Sequence, residues 1–181
     1  MAAWAIGMLT STYGQQVLGF SPLRYGMGTI ALTLMAFVGS YAAQALVGRV
    51  GVRLVAAGAA VCAGCGAVLL TRIDVDGTYF ADLFGGLVLF GCGLGAATAA
   101  GTVAALSGVP DGDAGVASAT NTASFQIGGA LGAAIATTVL VSHTVGAGKI
   151  ALTAGVQAGF VAAIVMPALA LVAAIATLRG R

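Results

Sequence analysis

The charged side chains of this sequence are few and placed so that they mark off its length. Seven Lys or Arg and five Asp leave six uncharged stretches, at residues 1–23, 25–48, 54–71, 83–110, 114–148 and 150–178, none shorter than 18 residues. A helix rises about 1.5 Å per residue and the hydrocarbon layer of a bilayer is about 30 Å thick, so about 20 apolar residues suffice to cross it. The pattern therefore predicts an all-α membrane protein of six transmembrane helices, at about residues 1–18, 25–47, 54–71, 83–106, 115–141 and 156–178, with no soluble domain. A buried core helix would need only one or two such stretches amid polar sequence. Six in succession leave nothing soluble to bury them.

Composition excludes the main rivals. In a chain of 181 residues, 60% are hydrophobic and the mean hydropathy is +1.07. A soluble domain of this length carries about 45 charged residues, roughly a quarter of its composition. The net charge of +2 is dispersed, so there is no basic stripe for nucleic acid. The three cysteines lie within apolar stretches and imply no disulfide framework. No positive charge precedes the first apolar run, which argues against a secretory leader. The bilayer itself is the first expected partner, and the cell (inner or plasma) membrane the expected location, multi-pass.

The connections carry start and stop chemistry. Ser21 before Pro22 reads as an N-cap with proline at the first helical position. Pro110, Asp111 and Asp113 precede the fifth span in the same way. The run from Arg72 to Asp82 is the most polar and reads as a water-exposed hairpin, and Ser142 to Gly155 as the longest loop. Basic residues are retained on the cytoplasmic side. With six spans the termini share a face with Arg49, Arg53, Arg179 and Arg181, against Arg24, Arg72 and Lys149 on the other, which puts both termini in the cytoplasm. Tyr13, Phe20, Tyr25, Tyr79 and Phe80 gather at the opposite boundary as interfacial anchors.

Motifs with chemical meaning elsewhere lose it here. Gly91, Gly93 and Ala96 in FGCGLGA fit a dinucleotide fingerprint, which needs a preceding strand and a parallel sheet; the uncharged run around them is long enough for a membrane helix. Cys62 and Cys65 form a CxxC in mid-span among Ala and Gly, where they suit packing better than redox work. His143 has no neighbouring carboxylate and reads as a solvated loop histidine. Neither a metal cluster nor a nucleophile and base is visible, so no enzyme, cofactor or metal is expected. Gly91 and Gly95, like Gly128 and Gly132, stand one turn apart and offer faces for close helix approach. Pro167 interrupts the last span. No charged residue lies near the middle of a span. The polar side chains at depth are Thr98 and Thr102 in the fourth span, Asn121, Thr122, Ser124 and Gln126 in the fifth, and Tyr41 and Gln44 in the second.

Three strings carry a resemblance: QQVLGFSPLRYGMG from Gln15 to Gly28, LVLFGCGLGAATAAGTVAALSGVPDGDAGVAS from Leu87 to Ser118, and NTASFQIGGALGAAI from Asn121 to Ile135. In order, over nearly the whole chain, they resemble the carboxyl half of the fourteen-span multidrug/proton antiporters of the major facilitator superfamily. The resemblance implies one half of a two-half transporter, made of three-plus-three inverted repeats, with a small amphipathic or hydrophobic substrate held near the midplane between halves. It implies that the first and fourth spans line the cavity, that the second and fifth face it and the other half, and that the third and sixth lie outside. On that map Thr12, Gln15, Thr98 and Thr102 border the pathway, joined by Tyr41 and Gln126. Gly48, Arg49, Gly51 and Arg53 resemble a degenerate copy of the superfamily's cytoplasmic gating loop, with Gly48 where an Asp normally stands. Phe125 stands where the family often has Arg, which removes another charge from this half; with no charged residue near the middle of any span, a proton-coupling carboxylate is expected from outside this chain. Met1 falls where a full-length relative would already have an amino-terminal bundle. The expected partner is that missing half or a second copy of this chain. The alternative is a non-transporting polytopic subunit or truncated remnant that packs on a partner through its glycine faces.

Overall fold

The computed structural model describes residues 1–177, and its regular secondary structure over that range is all helical. Its six α-helices are α1 (Ala2–Thr12), α2 (Pro22–Val50), α3 (Val52–Leu70), α4 (Gly85–Leu106), α5 (Ala114–His143) and α6 (Lys149–Thr177). A π-helical turn, Tyr13–Val17, extends α1, and a second, Tyr79–Phe84, leads into α4. Arg179 and Arg181, used above to orient the chain, lie outside the described residues. Five helical segments are long and apolar enough to cross a bilayer: Pro22–Val50, Val52–Leu70, Tyr79–Leu106, Asp111–His143 and Lys149–Ala176. The first helix falls short of that length, with eleven α-helical residues and a five-residue π turn.

Alternation of long helices and short joints sets the layout. Ser21 accepts a hydrogen bond from the Arg24 backbone N–H at 3.2 Å, and Pro22 follows at the first helical position, so α2 starts with its donors satisfied. It ends at Gly51, the single residue between α2 and α3, whose φ of 84° suits a residue with no side chain. Antiparallel succession puts the joints after α1, α3 and α5 at one end of the bundle and those after α2 and α4 at the other.

Glycine decides how the helices pack. A side-chain carbon on Gly91 or Gly95 would overlap the carbonyl oxygens of Leu32 and Ala36 in α2, and one on Gly39 would overlap that of Cys92. On the other side of α4, Gly93 lies against the Ala59 and Ala63 backbone of α3, and Gly66 of α3 against Phe90. Helix α4 is thus clasped between α2 and α3 at backbone contact on both sides, the close approach that small residues permit where no hydrophobic force drives helices together. Helix α1 packs against α5 and α6: Gly132 meets the Met1 backbone, Gly129 meets Trp4, and Gly159 meets Leu9. Gly128 has only ordinary contact with Met1, 3.5 Å away. The main core joins α1, α3, α4 and α6 through Ile6, Leu9, Tyr13, Leu70, Phe90 and Phe160.

Four sequence expectations change. The stretch from Arg72 to Asp82 is not a water-exposed hairpin throughout: residues 79–84 are helical, and Ile73 and Asp82 are buried. The loop expected over Ser142–Gly155 shrinks to Thr144–Gly148, because α5 runs to His143 and α6 starts at Lys149, with Thr153 already buried. Tyr13 is fully buried rather than an interfacial anchor, while Phe80 is exposed and Phe20 holds Arg24 over its ring at 4.3 Å. His143, exposed as expected, belongs to the last turn of α5 rather than to a loop, with Nδ1 3.0 Å from the Val139 carbonyl.

Candidate functional site: an uncharged polar groove

Helices α2, α4 and α5 enclose an open groove, built of three adjoining pockets of about 440, 410 and 310 Å³ that all share Thr98. Helix α4 contributes Leu94, Thr98, Gly101 and Thr102; α2 contributes Thr33, Phe37, Ser40 and Gln44; α5 contributes Asn121, Thr122 and Phe125. Among the described residues no charged side chain lines it. The Gly95 contact that brings α4 onto α2 therefore also sets the groove's floor.

The polar groups here divide into two kinds. Thr98 donates to the carbonyls of Leu94 and Gly95 at 3.1 and 2.9 Å, Thr102 to Thr98 at 2.9 Å, and Thr122 to Ser118 at 3.0 Å. A hydroxyl has one donor and two acceptor lone pairs, so these threonines have spent their protons on their own helices and offer acceptors to the groove. Asn121 makes no hydrogen bond within the described residues, which leaves its amide able both to donate and to accept. An apolar floor with a few acceptors and one free amide suits an amphipathic small molecule.

Of the polar residues singled out from the sequence, the structure brings together Thr98, Thr102, Asn121, Thr122 and Gln44. Thr12, Gln15, Tyr41 and Gln126 are not among the residues lining the groove. Thr12 donates to the Met8 carbonyl at 3.0 Å, and Gln15 donates to the Ser11 hydroxyl at 2.7 Å. Tyr41 is 71% exposed on α2, and Gln126 is exposed on α5. Gly48 and Arg49 belong to the last turn of α2 and Arg53 to the first of α3, so the expected gating loop is a helical corner turning on Gly51. Cys62 donates to the Leu89 carbonyl at 3.3 Å, and all three cysteines are free thiols. Among the described residues no group of His, Cys, Asp or Glu could hold a metal ion.

One polar cluster escaped the reading of the sequence. The Tyr13 hydroxyl lies 2.5 Å from Asp82 Oδ2 and 2.6 Å from the Asp74 carbonyl oxygen, so the two π-helical turns and the loop between α3 and α4 meet at one buried phenol. The available signal was the setting of Asp82 in YFADLF, an acidic residue among aromatics. Around it, Tyr79 donates to the Gly28 carbonyl at 2.6 Å and Gln157 of α6 donates to that of Ile73 at 2.7 Å, tying the same end of the bundle together.

Five long apolar helices joined by short turns leave one architecture. The chain is a multi-pass membrane protein. No protein-family profile matches it. It is 34% identical over 135 residues to a puromycin resistance protein, pur8, of Streptomyces alboniger; the match takes in 73% of this chain and 27% of the relative, so the chain spans about a quarter of that protein's length.

Proposed function

We propose that this chain forms one six-helix half of a major facilitator drug exporter. Its groove between α2, α4 and α5 is one wall of the transport pathway. The observation that carries the reading is the outward face of α5. Ser118, Thr122 and Gln126, each four residues on from the last, stand exposed along it beside the half-buried Asn121, on a helix that is long and apolar enough to span. The amides of Asn121 and Gln126, which have no hydrogen-bond partner among the described residues, are costly against hydrocarbon, so this face belongs against water or against other protein rather than against lipid. A second six-helix bundle rocking across the groove by alternating access satisfies both conditions. The similarity to a resistance protein supports export of a small amphipathic compound such as puromycin. On this reading both termini lie in the cytoplasm, and the other half, or a second copy, supplies the charge for proton coupling.

The non-transporting alternative needs free glycine faces, and the packing weighs against it. Gly91 and Gly95 are already occupied by α2, and Gly132 by the start of α1. Puromycin accumulation in cells separates the two. The chain expressed alone should leave accumulation unchanged, and joined to a complementary amino-terminal bundle it should lower it. Lowered accumulation from a demonstrably monomeric chain would overturn the half-carrier reading.

A further inference from the structure

Two aromatic rings reach the groove from helices that flank α4. Phe37 of α2 and Phe125 of α5 line the same pocket of about 310 Å³, whose floor is made by Leu94, Gly95 and Thr98 of α4. The rings are 61% and 46% exposed, and among the described residues neither is in contact with another aromatic ring. Phe125 also lines the adjoining pocket of about 440 Å³, which holds Asn121 and Thr122. Both pockets fall in the range of small-ligand sites, about 300–1,000 Å³.

The chemistry of this space is one-sided. Thr98, Thr102 and Thr122 give their protons to their own helices, and so does Thr33, whose hydroxyl donates to the Thr29 carbonyl at 3.3 Å. What these side chains offer is lone pairs, and the two rings add electron-rich faces. Against them stand few free donors: the Asn121 amide, the Ser40 hydroxyl, and the second N–H of Gln44, which spends its first on Ser40 at 3.4 Å. With no cationic side chain lining the groove, a carboxylate or phosphate finds no counter-charge there. An N–H donor or an ammonium group finds both acceptor oxygens and π faces. A saturated chain would fill the same volume but would gain nothing from stacking.

We infer that the space between Phe37 and Phe125 sets the substrate class: a planar aromatic ring that carries an amino or ammonium group, stacked on the two phenylalanines with its N–H groups toward the threonine oxygens. This rests on the groove being the wall of the transport pathway. A phenylalanine that only met lipid could be exchanged for leucine without consequence, and that difference is measurable.

Binding to the full chain in phosphatidylcholine nanodiscs, with empty nanodiscs subtracted, tests the assignment with three probes on one tricyclic skeleton. Proflavine is a planar aromatic diamine and is followed by its fluorescence; perhydroacridine, a saturated amine, and acridine-9-carboxylate, a planar anion, compete with it. Proflavine should bind. Phe37→Leu and Phe125→Leu should each weaken it about tenfold, while Phe37→Tyr and Phe125→Tyr should keep it. Each competitor should need at least about a tenfold higher concentration than unlabelled aromatic diamine to displace it. Where a leucine variant does not fold, the competition on the wild type decides. No protein-dependent binding of proflavine, affinity unchanged in both leucine variants, or equal displacement by either competitor would overturn the assignment. Puromycin accumulation with the joined carrier decides the pathway reading separately, so a groove that exports drug without preferring aromatic amines would sink this inference alone.

Discussion

At the scale of single residues, glycine and threonine do opposite work. Gly95 removes a side chain where α4 touches the Ala36 carbonyl, and Gly101, six residues on, has open space around it. Gly95→Leu should therefore cost about 1–3 kcal/mol or more through forced separation of α2 and α4, read as a lower unfolding midpoint in detergent. Gly101→Ala should stay within about 1 kcal/mol, in the stabilising direction, because only helix propensity changes. In the groove, Asn121→Leu removes the one unpaired amide. In the assembled exporter it should reduce drug export about tenfold, the value of roughly one hydrogen bond, with expression level unchanged. Thr98 and Thr102 were legible from the sequence because a hydroxyl in an uncharged span stands out. Ser40 and Phe125 became groove residues only once α2 and α4 were placed in contact. Asp82 was hidden for the opposite reason, since its neighbours Arg72, Asp74 and Asp76 made the segment look uniformly wet.

At the scale of elements, charge spacing located all six helices, and capping chemistry located the start of α2. What it could not supply was length. The run before Arg24 is long enough to span, yet its helix stops at Val17, where a π turn and Gly19, with φ of 71°, break the ladder. Likewise the glycines of residues 146–148 suggested a long loop, but Lys149 already opens α6 and leaves a five-residue joint. Local backbone chemistry makes two joints sensitive. Gly51→Ala should destabilise by about 1–3 kcal/mol, because φ of 84° with ψ of 156° is a backbone conformation essentially restricted to glycine. Ser21→Ala should cost about 1 kcal/mol through loss of the cap. Helix α3, with 19 residues, is about 28 Å long, so reporter fusions at Arg49 and Asp74 should fall on opposite faces of the bilayer. The same face for both would dismantle the spanning order.

At the scale of the whole molecule, the bundle is tightly made on one side and open on the other. Helices α3, α4 and α6 share the core with α1, whereas α2 and the first half of α5 expose Leu34, Phe37, Val38, Tyr41, Phe125 and Ile127 along with the polar face already described. An apolar rim around uncharged polar groups is what a pathway wall presents when its opposite wall is a separate bundle. The account therefore depends on water reaching Thr98 when the chain is in its working assembly. Cys62, Cys65 and Cys92 would be replaced by alanine, Thr98 by cysteine, and native membranes treated with a charged, membrane-impermeant thiol reagent. Labelling at position 98 that a bound drug suppresses is the predicted result, with Val161→Cys, exposed on α6 away from the groove, remaining unlabelled on the same background. A cysteine at position 98 that stays unlabelled in the assembled protein, with or without drug, would contradict the account.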